Sequence, residues 1–264
     1  MACVDCVSGN VHTGTPVGEE ITLAGLSTYA TGDPNSQRIV VFGIDVFGWR
    51  FVNTRLLADE YATRGFRVYI PDLFDGYEHP QWTLNAAAED NPSFFLKLLK
   101  PLILLTVVPF VLRNSKSAQS AKIGGLLAHL RAAAPRAAKV GFIGYCWGGR
   151  YALTMNAQFD ATVAAHPSLV TFPAELKDIG NPIMFLLAAR DHGYDGARGR
   201  ETEKILKGRG LPAVEVRVYD GVNHGWTIRC NMDDPKQREA RDDAKERAIG
   251  WFEKYLVVES ESES

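Results

Sequence analysis

The sequence predicts an α/β fold with a mainly parallel central sheet, and three observations carry that expectation. Residues 38–44 (Arg-Ile-Val-Val-Phe-Gly-Ile) and 183–189 (Ile-Met-Phe-Leu-Leu-Ala-Ala) are short apolar runs, the pattern of parallel strands buried on both faces. Between such runs lie segments with apolar residues at helical spacing, as in 51–64, where Leu56, Leu57 and Tyr61 share a face and Gly65 supplies the C-cap. This strand–helix alternation recurs to the C-terminus. The 264 residues are 46% hydrophobic and 23% charged, enough to build one domain, 1–264, around a full core. A net charge of −2 favours neither nucleic acid nor an anionic membrane as a partner.

Taken in order, residues 1–20 are small and polar and read as an irregular N-terminal arm. Cys3 and Cys6 form a Cys-x-x-Cys pair, but no second pair stands at zinc spacing, so no metal is expected. His12 reads as solvent-facing or locally bonded. Residues 21–30 alternate as one strand, and 32–35 form a turn. The strand at 38–44 ends in Asp45-Val46-Phe47-Gly48-Trp49, at a carboxyl edge, where open parallel sheets build their sites. A strand at 66–70 follows, then the loop Pro71-Asp72-Leu73-Phe74-Asp75-Gly76.

Residues 77–121 break the rhythm. The stretch 94–112 is very apolar, yet Lys97 and Lys100 interrupt it, and Pro101 and Pro109 would break a helix. The uncharged remainder falls well short of the roughly 20 residues a membrane span needs. A helical lid-like insertion over the site, or a helix packed on a partner subunit, fits better.

A helix at 118–133 leads to the strand at 138–143. The strand at 161–167 ends near His166, a candidate site residue whose plainer reading is a packed histidine near the sheet edge. The strand at 183–189 runs into Arg190-Asp191-His192-Gly193. A helix at 201–208 and a strand at 214–219 precede Asp220-Gly221-Val222-Asn223-His224-Gly225-Trp226. Residues 236–256 form a helix that turns Ala244, Ala248, Trp251, Phe252 and Leu256 inward. The acidic stretch 258–264 reads as a disordered tail. The N-terminus shows no charged region followed by an apolar run, so a reducing, cytoplasmic setting is the expectation.

The chemistry centres on Gly144-Tyr145-Cys146-Trp147-Gly148-Gly149, set between a strand and a helix. Gly-x-nucleophile-x-Gly in that context is the nucleophile elbow of the α/β-hydrolase fold, with cysteine where serine is usual. The glycines leave room for strand and helix to approach, and a cysteine at a helix N-terminus is favoured as a thiolate. An inert buried cysteine in a glycine-rich turn is the plainer alternative. A phosphate loop is a second, but it lacks the lysine and serine or threonine ending. In chain order the nucleophile is followed by an acid and then a histidine, which gives Cys146, Asp191 and His224. Asp195 and Asp220 compete for the acid role, and a helix-capping aspartate is the bland reading of Asp191. His224 is the best base among six histidines.

These pieces resemble the dienelactone hydrolase family: Asp45-Val46-Phe47-Gly48, Pro71-Asp72-Leu73, the elbow, Asp191, and His224-Gly225-Trp226. The resemblance implies a hydrolase of small esters or lactones that works through a Cys-His-Asp triad and a thioester, with no cofactor. It implies an oxyanion hole from the backbone N–H groups of Trp147 and Val46. A monomer or homodimer is expected. Amide or thioester hydrolysis on the same triad is the alternative, as is a binding member with little turnover. Two departures from the family pattern stand out. Asp45 replaces the glutamate that holds the resting thiol. Of two arginines expected for a substrate carboxylate, only Arg229 has a counterpart, and Asp75 adds a negative charge near the other position. A less anionic substrate is therefore expected, with Asp45 and Arg229 as substrate-binding or thiol-modulating candidates.

Overall fold

Eight strands among the described residues form one sheet: β1 (Glu19–Leu23), β2 (Leu26–Thr31), β3 (Arg38–Gly43), β4 (Arg67–Pro71), β5 (Lys139–Tyr145), β6 (Ala161–Ala165), β7 (Ile183–Ala188) and β8 (Val214–Tyr219). The computed structural model describes residues 9–81, 84, 109–135, 137–211 and 213–258. The spatial order is β1-β2-β4-β3-β5-β6-β7-β8. Every pair from β4 to β8 is parallel, and β2 runs antiparallel to both β1 and β4. The buried faces of β3, β5, β6 and β7 are almost wholly apolar, as a sheet covered on both sides requires.

The single strand expected over 21–30 is instead a hairpin. Ala24 and Gly25 take φ of 51° and 79°, a two-residue reversal whose twist matches the strands it joins. Alternation runs straight through so short a turn, and alanine gives no sign of it.

Among the described residues the helices include α1 (Val52–Ala62), α2 (Lys116–Ala133), α3 (Gly149–Thr154), α4 (Gly196–Gly208), α5 (Trp226–Arg229) and α6 (Pro235–Tyr255). Helix α4 begins five residues before the expected 201. Asp195 caps it, accepting from the Arg198 N–H at 2.9 Å. Its two early glycines lower helix propensity but admit close packing: a Cβ at Gly199 would lie 2.4 Å from the Leu187 side chain. Helix α6 is capped by Asp234 with Pro235 in its first turn, and it buries Ala244, Ala248, Trp251 and Phe252 as expected. Phe252 is fully buried beside Tyr61 and Phe66, over Gly141 of β5.

Strand β3 has β4 on one side and β5 on the other, so the chain reverses its direction of travel across the sheet there. Such a switch point opens a crevice at the carboxyl ends of the two strands. Asp45 and Val46 follow β3 and Cys146 follows β5, with Gly43 and Gly144 in register. Of the expected lid-like insertion at 77–121, residues 82–83 and 85–108 lie outside the described residues, as do Cys3, Cys6 and 259–264. No helix among the described residues is long and apolar enough to cross a membrane.

Candidate active site

Cys146 sits at φ 51°, in the left-handed region that a residue with a side chain adopts only at a cost of about 1–2 kcal/mol. The strained turn lifts it from β5 and starts α3. The three glycines answer to three backbone contacts. A Cβ at Gly144 would lie 2.2 Å from the Gly148 oxygen, and one at Gly148 would lie 2.2 Å from the Gly43 oxygen. One at Gly149 would lie 2.7 Å from the Pro167 Cα. The elbow thus closes on itself, on β3 and on the loop after β6. Cys146 is a free thiol, 1% exposed. Helix α3 has only six residues, so its dipole offers the thiolate less than a longer helix would.

Asp191 ends the β7 segment and His224 follows β8, and their side chains meet. His224 Nδ1 donates to Asp191 Oδ2 at 2.8 Å, with both side chains at most 1% exposed. Burial alone would raise the Asp191 pKa. The bonds from His224 and from the Gly193 and Tyr194 N–H groups outweigh it and hold the carboxyl below its usual range. The competing acids stand elsewhere: Asp195 caps α4 and Asp220 is exposed.

With Nδ1 committed to the carboxylate, His224 turns Nε2 toward Ser168 Oγ, 3.4 Å away. The same hydroxyl oxygen is 3.4 Å from Cys146 Sγ. The structure therefore brings Cys146, His224 and Asp191 into one line with Ser168 between the first two. Sequence reasoning passed over Ser168, although its place just after β6, at the carboxyl edge, was the available signal.

His166 is packed, as expected, and it also forms the wall behind the elbow, fully buried. Its Nδ1 accepts the Cys146 N–H at 3.1 Å, so Nε2 carries the proton and donates to Thr227 Oγ1 at 2.7 Å. Its ring meets that of His224 edge to face, with centroids 4.9 Å apart. Burial, and then the charges of His224 and Arg229, push its pKa well below the ordinary value, so it stays neutral.

Asp45 and Arg229 also differ from expectation. The Arg229 guanidinium forms an ion pair with the Asp45 carboxylate, and their side chains are 1% and 0% exposed. Asp45 Oδ1 also accepts the Phe47 N–H at 3.0 Å, and Arg229 lies over the Phe47 ring at 5.2 Å. Arg229 is thus a buried cation neutralised by Asp45, not one presented to a substrate carboxylate. Asp45 in turn faces Arg229 rather than the thiol. Packing enforces this: Gly225, at φ 87°, leaves only 2.1 Å between an added Cβ and Arg229 Nη2. Asp75 is neutralised as well, through Lys122 at 2.7 Å, so it repels less than its sequence position suggests.

The backbone N–H groups of Val46 and Trp147 have no protein acceptor among the described residues. Their loops are joined by the Gly148 N–H, which donates to the Ile44 oxygen at 3.1 Å, and Val46 is further held by His79, whose N–H donates to the Val46 oxygen at 2.8 Å. The Trp147 ring packs with Phe74 (4.9 Å), Tyr151 (4.8 Å) and Phe110 (6.3 Å). Phe110 brings the end of the apolar stretch 94–112 beside the residue that follows Cys146. No group of three or more metal-ligating side chains occurs among the described residues.

The sequence matches the dienelactone hydrolase family over residues 26–256. It is 27% identical over 259 residues to "Hydrolase pyvD" of Aspergillus violaceofuscus, covering 95% of this chain and 96% of that one. It is 28% identical over 261 residues to "Dienlactone hydrolase 1" of Gibberella moniliformis, covering 96% and 94%. Among solved structures, the fold is shared with the dienelactone hydrolase of Anabaena variabilis, at TM-score 0.60 and 15% identity over 92% of this chain and 99% of that one. It is shared too with a dienelactone hydrolase-like promiscuous phosphotriesterase, P91, from metagenomic libraries, at TM-score 0.63 and 14% identity over 91% and 99%.

Proposed function

Because the chain belongs to the dienelactone hydrolase family, we propose that it cleaves a small carboxylic ester or lactone through Cys146, His224 and Asp191, by way of a thioester. The observation that carries this reading is the position of a strained, buried thiol in line with a histidine whose far nitrogen is fixed by a carboxylate. Asp191 holds His224 in the Nδ1–H tautomer, so that Nε2 is the nitrogen that takes a proton, and stabilises the imidazolium that results. The thiolate attacks the carbonyl carbon, and the developing oxyanion is received by the unused N–H groups of Val46 and Trp147. The tetrahedral intermediate collapses to a thioester as the imidazolium protonates the leaving alkoxide. Water, deprotonated by His224, then releases the acid and restores the thiol.

The substrate end follows from charge. Arg229 is neutralised by Asp45, and the wall beside Cys146 is aromatic: Phe74, Phe110, Trp147 and Tyr151. Neutral or weakly charged esters and lactones suit such a wall. In this reading a reducing cytoplasmic compartment keeps the thiol free. The test is an ester and lactone panel run with the pure protein, alongside trapping of the acylated enzyme by mass spectrometry. Acyl mass on the peptide bearing Cys146 is the expected result. Turnover of the same esters by Cys146→Ala would show that another nucleophile does the work.

A further inference from the structure

The Ser168 hydroxyl stands 3.4 Å from Cys146 Sγ and 3.4 Å from His224 Nε2, inside the protein, where Ser168 is only 7% exposed. We propose that Ser168 is the proton bridge between the nucleophile and the base, so that the thiol is activated through a hydroxyl. This rests on the Cys146–His224–Asp191 reading above and assigns a further residue to it.

The polarity of the line is settled at its far end. His224 Nδ1 donates to Asp191, so Nε2 offers a lone pair toward Ser168. A hydroxyl has one proton to donate and two lone pairs with which to accept. Ser168 therefore donates to His224 and accepts from the Cys146 S–H. On activation the S–H bond breaks and its proton passes to Ser168 Oγ, while the proton already on Ser168 passes to His224 Nε2. The electron pair of the broken S–H bond stays on sulfur and forms the new S–C bond. Ser168 ends as it began, a neutral hydroxyl, and one net proton has moved from cysteine to histidine.

The backbone fixes the hydroxyl there. The Ser168 N–H donates to the Cys146 carbonyl oxygen at 2.9 Å, while the Cys146 N–H is shared between the Ala165 oxygen and His166 Nδ1, each at 3.1 Å. The loop after β6 thus holds both backbone polar groups of the nucleophile. It does so at the cost of two left-handed residues on either side of Ser168: His166 at φ 37° and Leu169 at φ 59°. Such strain costs about 1–3 kcal/mol per residue and persists where the surroundings over-determine it, commonly at active sites. A serine needed only to fill space would not require it.

The experiment compares Ser168→Ala, Ser168→Thr and His224→Gln with wild type. The readouts are kcat and KM on an activated neutral ester, and the pH profile of Cys146 alkylation by iodoacetamide. Loss of the bridge should lower kcat at least tenfold with KM within about twofold, a modest share of the 10²–10⁴ that positioned proton transfer supplies. It should also move the alkylation profile to higher pH, and threonine, which keeps the hydroxyl, should restore most of both. Ser168→Ala with wild-type kcat and an unchanged alkylation profile overturns the bridge, and so does Ser168→Thr behaving no better than alanine. His224→Gln separates the two levels. If it shifts alkylation while Ser168→Ala does not, the triad stands and the bridge falls. If His224→Gln leaves both readouts at wild type, the triad reading itself fails and the bridge with it.

Discussion

Arg229 lies inside the protein against Asp45, and their ion pair ties the loop after β3 to the segment after β8. The two loops carry different parts of the proposed site: Val46 follows Asp45 directly, and His224 stands five residues before Arg229. A pair this deep holds geometry more than it adds net stability, because desolvating both ions offsets much of their attraction. Breaking it is another matter, since one charge is then left buried and unpaired.

Arg229→Ala should therefore cost about 3–5 kcal/mol in denaturant unfolding and lower kcat/KM for neutral and carboxylate-bearing esters alike. Replacing both partners, with Asp45→Asn and Arg229→Met, should recover much of the stability. Matched neutral and anionic esters check the second half. A loss confined to the anionic ester, with stability intact, would return Arg229 to the role of a substrate ligand.

Cys146→Ala should abolish ester cleavage while its far-UV circular dichroism and unfolding midpoint stay close to wild type, because the methyl fits where the thiol was. Cys146→Ser should be much slower than wild type, since a hydroxyl is far harder to deprotonate than a thiol and this site was built around sulfur. Equal rates for serine and cysteine would count against a thiolate mechanism.

Asp191→Asn should cut kcat by roughly 10³–10⁴, by analogy with loss of the orienting acid in a serine triad, with a small change in KM. The amide can donate to Nδ1 and stabilise the wrong tautomer. Asp220→Asn, on an exposed loop, should leave both constants near wild type. The reverse ranking, measured on one ester, would move the acid to Asp220.

Acid should unfold the protein early. Burial lowers the His79 pKa to about 4, and it lowers those of His12 and His166 as well. Each is depressed in the folded state, so the unfolded chain binds more protons below the ordinary histidine value near 6.5. Stability is full above that value and falls as the pH drops toward 4, by about 3 kcal/mol from His79 alone. Asp191, also depressed, adds to the loss below the ordinary carboxylate range. Urea midpoints at pH 7.5 and 5.0 should differ in that direction, and His79→Gln should shrink the difference. A flat profile between those values would remove the buried neutral histidines from the account.

The sequence by itself determined the fold class, the elbow and the order of the proposed triad. Those are local or ordered signals: apolar runs with the period of buried strands, glycines where two backbones touch, and catalytic groups that recur in one chain order. The apolar face of α6 was legible too, but the start of α4 was not, because glycines that serve close packing against Leu187 and Val218 look like helix breakers. The β1–β2 reversal escaped for a similar reason, since period-two alternation does not register a two-residue turn. What only the tertiary structure decided is which charges and polar groups meet. Asp45 and Arg229 are 184 residues apart, and nothing in either neighbourhood says that each is the other's counter-ion. His166 stands at a strand end and Ser168 just beyond it, and the parallel register of β5 with β6 sets both against the backbone of Cys146. A pattern along the chain reports how a segment buries its own surface. The partner of a buried charge or hydroxyl is fixed by sheet order and loop closure, which no single segment carries.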